Sequence, residues 1–181
     1  MSDSFRALST DFYVNLKLGV KMDLPQTREP VLELFERVRR RFPSMDQFRK
    51  YKDELALESA QAEAPHRWLA VRSNSVRAGV VNPDRFEHAY ELHRHILEVS
   101  PYFLTISPLD VDFIELLYGF DLECGGNHDA VIYEALMQHS PIGGVMDLPG
   151  ATPIDCQPIL SVAFGANREY EAHFEVKSRT P

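Results

Sequence analysis

The sequence predicts an α+β fold in which helices lie on one face of an antiparallel sheet. Three observations lead there. Two long stretches, Asp11 to Leu24 and Ile114 to Cys124, alternate apolar and polar residues with a period of two. Two others, beginning near Thr27 and Asn82, repeat apolar residues at helical spacing. The order is strand, helix, strand, strand, helix, strand, which favours segregated helices over a regular parallel crossover pattern.

In the first stretch Phe12, Val14, Leu16, Leu18, Val20, Met22 and Leu24 take every second position. Side chains on a strand alternate between faces, so this register sends the apolar set into one core and leaves Tyr13, Asn15, Lys17 and Lys21 on the other side. Thr27 then caps a helix in which Val31, Leu34, Phe35, Val38 and Phe42 share one face, with Pro30 tolerated in the first turn. Pro43 ends it. Ser44 and Gln47 form a capping box that predicts a second helical segment along Phe48, Tyr51 and Leu55, and 58–65 reads as a connector. Trp68 to Val71 and Val76 to Val81 flank the turn formers Ser73, Asn74 and Ser75, a hairpin. Asn82-Pro83 opens a helix with Phe86, Ala89, Tyr90, His93 and Leu97 on its inner stripe, stopped or bent at Ser100-Pro101.

The second long strand puts Ile114, Leu116, Tyr118, Phe120, Leu122 and Cys124 on one apolar face. Val111 and Phe113 have the opposite parity, which predicts a bulge near Phe113. Gly125-Gly126 breaks the strand, Asn127 caps, and Ala130 to His139 reads as a short helix. Residues 141–158 hold four prolines and three glycines and form a long loop, followed by a hairpin of Leu160, Val162, Phe164 against Tyr170, Ala172, Phe174 and Val176. The first six elements match a ferredoxin-like βαββαβ core with the short helix, loop and hairpin appended, and this analogy sets the two long strands side by side. The expected organisation is a single domain over 1–181 with a flexible N-terminus at 1–10.

The short hairpin, the Asn82-Pro83-Asp84-Arg85-Phe86 helix start and the run Phe113-Ile114-Glu115-Leu116-Leu117-Tyr118-Gly119 occupy Trp68 to Cys124, less than half the chain. Together they resemble a sporadically distributed bacterial family of uncharacterised proteins. Leu117 stands where that family usually has a basic residue. The resemblance implies a fold without an activity.

At 181 residues, with 44% apolar and 25% charged side chains, the composition is that of a globular protein. A net charge of −8 opposes nucleic-acid binding, which relies on Lys and Arg against phosphates. No apolar run approaches the roughly 18 residues that span a bilayer, and the first ten residues lack a signal-peptide pattern, so a cytoplasmic protein is expected with neither nucleic acid nor membrane as partner. Cys124 and Cys156 are too few for a disulfide framework. The basic cluster from Arg37 to Lys52 reads first as a solvated face, and otherwise as a surface for an acidic partner or anionic ligand.

Two places invite a functional reading. The polar face of the sheet joins Tyr13, Asn15, Lys17 and Lys21 to Glu115 and Asp121 on the neighbouring strand, where opposite charges either stabilise the sheet or meet a partner. The turn Cys124-Gly125-Gly126-Asn127-His128-Asp129 runs into a helix start, where free N–H groups suit an anion. Parity argues that Cys124 is a core residue. His88 and His95 lie about 10 Å apart along one helix, so they cannot share an ion, and neither a metal nor a cofactor is predicted. His93 reads as a buried core histidine or a pocket residue. The expected function is a non-catalytic binding or assembly module, self-associating through the open sheet face. The alternative is a small enzyme acting on an anionic metabolite at the Cys124–Asp129 turn.

Overall fold

The computed structural model of the chain describes residues 9–25 and 27–178; the N-terminal segment expected to be flexible lies outside them except for Ser9 and Thr10. The chain divides into two compact units, Met1–Leu122 and Glu123–Pro181. The first is α+β. Strands β1 (Asp11–Val20), β2 (Gln47–Lys50), β3 (Leu55–Glu58), β4 (His66–Arg72), β5 (Ser75–Val81) and β6 (Val111–Asp121) form one sheet in the order β2-β3-β4-β5-β1-β6. Every pairing in it is antiparallel. Helices α1 (Arg28–Arg41) and α2 (Phe86–Leu104) pack against each other over the sheet.

The two long alternating stretches are neighbours, with β1 between β5 and β6. Phe12, Val14, Leu16, Leu18 and Val20 are all buried, as period two requires of the inner face. Val31, Leu34, Phe35 and Val38 of α1 and Ala89, Leu92, Ile96 and Val99 of α2 close the same core from above. Thr27 occupies the N-cap of α1 without a side-chain hydrogen bond.

Three local expectations are corrected. The Ser44 to Leu55 segment is no helix but the β2–β3 hairpin, closed by the Tyr51 N–H donating to the Glu54 carbonyl at 2.9 Å. Phe48 packs on Phe35 of α1, ring centroids 5.8 Å apart, and stands opposite Leu57 across the hairpin. Tertiary contact outweighs the capping signal here. Asn82 does not cap α2, which starts at Phe86 behind Arg85. At φ 51° it turns the chain, its Oδ1 accepting the Phe12 N–H at 3.0 Å and its Nδ2 donating to Asp11 at 2.7 Å, so it fastens the start of β1. Pro101 does not stop α2, which continues to Leu104 and ends on Thr105 in the left-handed region.

The second long strand runs from Val111 to Asp121 and not from Ile114 to Cys124. Its register against β1 shifts between Gly19 and Val20, which leaves Asp112 as the extra residue of a bulge beside Phe113. The bulge changes the parity, so Val111 packs on the core while Phe113 joins the outer face.

The second unit contains α3 (His128–Leu136), a 3-10 turn at Gly143–Asp147 and the hairpin of β7 (Ile159–Phe164) and β8 (Tyr170–Glu175). Asn127 caps α3, its Oδ1 accepting from Ala130 N–H at 3.2 Å. The hairpin register sets Leu160 against Phe174, Val162 against Ala172 and Phe164 against Tyr170 on one apolar face, and every residue of both strands is exposed.

Candidate functional site

Two helices of about 10 Å diameter cover about 20 Å of sheet, whereas six strands at about 4.8 Å spacing span about 24 Å between the outermost axes. Something must stay uncovered. Phe35 places α1 over β2, and α2 lies over β5 and β1, so the bare strip is β6. Its apolar residues Phe113, Ile114, Leu116, Leu117, Tyr118 and Phe120 are 40–58% exposed, although Ile114, Leu116, Tyr118 and Phe120 share the inner face with β1's buried residues. The sequence expectation of a buried apolar face on this strand is therefore corrected. The pattern is right and the roof is missing.

Only the end of β6 near Asp121 is partly sheltered. Phe120 contacts Phe12 at 5.0 Å between ring centroids, and Phe86 meets Tyr118 edge-on at 6.0 Å. The Tyr118 and Tyr90 hydroxyls share a hydrogen bond of 2.7 Å. Desolvation, then the bond to Tyr90, pushes the Tyr118 pKa up to about 12, so this tie stays protonated and intact at neutral pH. Further along, a groove of about 450 Å³ opens between α2 and β6, lined by Leu16, Tyr90, His93, Leu97, Ile114 and Leu116, with Arg94 and Glu98 also in its wall. His93 is buried at 4% exposure, and neither ring nitrogen makes a hydrogen bond of good geometry among the described residues, although the Val14 backbone favours the protonated ring.

The opposite face of the sheet carries no helix of this unit, as expected. Lys17 stands opposite Glu115 in the register, and its ammonium rests 4.9 Å from the centroid of the Phe113 ring, whose face it meets. Tyr13 lies over Gly119, its cross-strand partner, where an added Cβ would run into the ring. Gly119→Ala is expected to lift the ring and lower stability by about 1–3 kcal/mol. Chemical denaturation checks this, and an unchanged midpoint would mean that the ring swings aside freely.

Asn15 and Trp68 crowd over Gly79, whose missing Cβ gives them room, and the buried Asn15 Oδ1 has no hydrogen-bond partner among the described residues. Sequence reading missed Trp68 and Arg77, whose guanidinium sits 5.9 Å from the Trp68 ring, as members of this face. Their parity in β4 and β5 carried the signal once the register Trp68 to Gly79 to Asn15 is known. Asp121 closes β6 opposite Asp11, and Lys21 falls beyond the end of β1, so these two mark the margins of the face.

The glycine turn lies in the second unit. Cys124 is exposed, which corrects its expected place in the core: β6 ends three residues before it. His128 and Asp129 are held by local structural bonds. The His128 Nε2 lies 3.1 Å from the Cys124 carbonyl, and Asp129 Oδ1 accepts from Cys156 N–H at 3.0 Å and Ser178 Oγ at 3.2 Å. Gly125 and Gly126 are exposed with open space where a Cβ would be. Among the described residues no group of three or more His, Cys, Asp or Glu could hold a metal ion, and no helix is long and apolar enough to cross a membrane. No protein-family model and no curated protein matches this chain.

Proposed function

We propose that this chain is a non-catalytic binding and assembly module that self-associates through the β6 side of its sheet. Its core is ferredoxin-like, with β1, α1, β4, β5, α2 and β6 as the six elements and the β2–β3 hairpin inserted after α1. The resemblance of residues 68–124 to an uncharacterised bacterial family belongs to the same reading, since it implies a fold and no activity. One observation supports the reading above the others: β6 is an eleven-residue edge strand, apolar on both faces, without a single Lys, Arg or Pro. Edge strands that must stay solitary are kept short, charged with Lys, or broken by Pro. This one is long and lacks both Lys and Pro, its protection being the bulge at Asp112 and the carboxylates of Asp112, Glu115 and Asp121. Tyr13, Asn15, Lys17 and Glu115 continue the contact surface onto the open face, and Asp121 ends it.

The enzyme alternative draws less support. The His128 Nε2 lies against the Cys124 carbonyl and the Asp129 Oδ1 accepts from Cys156 N–H and Ser178, so both side chains serve local structure.

Light scattering coupled to size exclusion, run across a wide range of protein concentration, tests the reading. The parent chain is expected to exceed monomer mass. Ile114→Lys is expected to return it to monomer with its melting temperature little changed, because Ile114 is already 58% exposed. A parent chain that stays monomeric throughout would discard the module as a self-associating one.

A further inference from the structure

Resting on the binding half of that reading, we infer that the open face of the sheet is a platform for an uncharged, extended oligosaccharide stacked on Tyr13, Trp68 and Phe113. Three glycines of this face, Gly119, Gly79 and Gly19, stand directly opposite Tyr13, Trp68 and Phe113 in the strand register. At each of them an added Cβ would run into the ring of that partner. A ring can lie across a neighbouring strand only where no side chain rises to meet it. The three rings therefore lie along the sheet and offer a face to whatever settles there, where an upright ring offers an edge. Phe113 is 40% exposed and Tyr13 and Trp68 are half-buried, so each keeps surface in water.

The register also spaces them. Gly119 and Gly79 lie on strands two apart and stand level with Tyr13 and Asn15 of β1. A strand spacing of about 4.8 Å and a rise of about 3.4 Å per residue then set the Tyr13 and Trp68 rings about 12 Å apart. The same geometry puts Trp68 and Phe113 about 14 Å apart. Asn15 falls between the first two rings and Lys17 between the second two, so rings and polar side chains alternate along the face. Rings so far apart cannot share one small planar ligand. They suit a chain of repeating units.

The charges choose the class. Lys17 and Arg77 are matched by Glu115, opposite Lys17, and by Glu58, opposite Trp68. Two cations against two carboxylates give an anion no net attraction, and the chain's charge of −8 repels an anionic polymer such as RNA. A wholly apolar ligand would desolvate these polar side chains without offering them a partner. A sugar hydroxyl donates to a carboxylate and accepts from a cation or an amide, so one uncharged group serves every polar side chain here. The C–H groups on the flat side of a pyranose, weakly positive, meet the negative face of an aromatic ring. The charged ends of Lys17 and Arg77 lie 4.9 Å and 5.9 Å from the Phe113 and Trp68 rings, on flexible stems that let them pass from ring to hydroxyl when a sugar arrives.

Trp68 is the only tryptophan in the chain, so its fluorescence reports on this face. Titration with cellohexaose, an uncharged β-linked glucan, is expected to shift the emission saturably and equally at low and high salt. Tyr13→Leu keeps Gly119 covered by an apolar side chain but removes the ring, and is expected to weaken binding about tenfold, whereas Tyr13→Phe binds like the parent. Phe113→Leu, at a position already exposed, reads the same loss at the other end of the line. A flat titration of the parent, or a shift undiminished in both Leu variants, would overturn the platform. So would a shift with hexauridylate that salt abolishes, because the occupant would then be an anionic strand. Light scattering on the same samples separates the two readings. A protein that assembles but ignores cellohexaose loses this inference alone, one that binds as a monomer loses self-association alone, and one that does neither loses both.

Discussion

Phe12→Ala is expected to cost about 3–5 kcal/mol of unfolding free energy, the range for removing a buried aromatic. Phe12 is 3% exposed and sits where three elements meet, edge-on to Phe86 of α2 at 5.3 Å and tilted against Phe120 of β6 at 5.0 Å. Its backbone is fixed from the other side by Asn82, whose side chain accepts the Phe12 N–H and whose own N–H donates to the Phe12 carbonyl at 2.7 Å. Neighbours held so firmly cannot collapse into the space, so the cavity term adds to the lost transfer energy. Equilibrium denaturation in urea gives the number. A loss below about 1 kcal/mol would mean that α2 closes over the gap, contrary to the packing described.

The second large effect is a pH dependence carried by His93. Burial holds the imidazole neutral, lowering its pKa from 6.5 to about 4, and the backbone of Val14 offsets this only in part. Between those values the unfolded chain takes up a proton that the folded chain refuses. Stability is therefore full above pH 6.5 and falls as the pH drops towards 4, by up to about 3 kcal/mol in total. His95 adds a slope of the same sign, its pKa lowered by burial and then by the Arg41 and Arg37 charges. His93→Leu is expected to remove most of the slope and to raise stability at neutral pH by about 1–3 kcal/mol, because no unpaired ring nitrogen is then left in the interior. Denaturation curves collected from pH 4 to 7 compare the two proteins. An undiminished slope in the variant would show that other groups carry the effect.

The parts of the fold that were legible in the sequence are those where one residue pattern answers one question. The β1 alternation named its buried side chains because both its neighbours in the sheet and the helices above it lie within this unit. On β6 the same pattern gives the strand and the bulge, and only the topological analogy gives its partner, yet the pattern places its apolar side chains in the interior. Period two tells that a strand has two kinds of face; it does not count how many helices are present to cover one. The comparison of helix width with sheet width would have supplied that count, had the β2–β3 hairpin been recognised as adding two strands. The hairpin was hidden by Phe48, Tyr51 and Leu55 falling at helical spacing. Asn82 was misread for a related reason: a residue suited to capping is equally suited to a left-handed turn, and only the position of β1 decides between them. In the candidate site, the sequence puts Lys17 and Glu115 on one face without their register, whereas Trp68 and Arg77 become visible only once the register joins three strands into one surface.

At the far margin of the sheet, β2 is only four residues long and ends in Arg49 and Lys50, both exposed. A border this stubby offers few backbone groups to a further strand, and its like-signed tips would repel a second border of the same kind, so the sheet is closed to extension on that side.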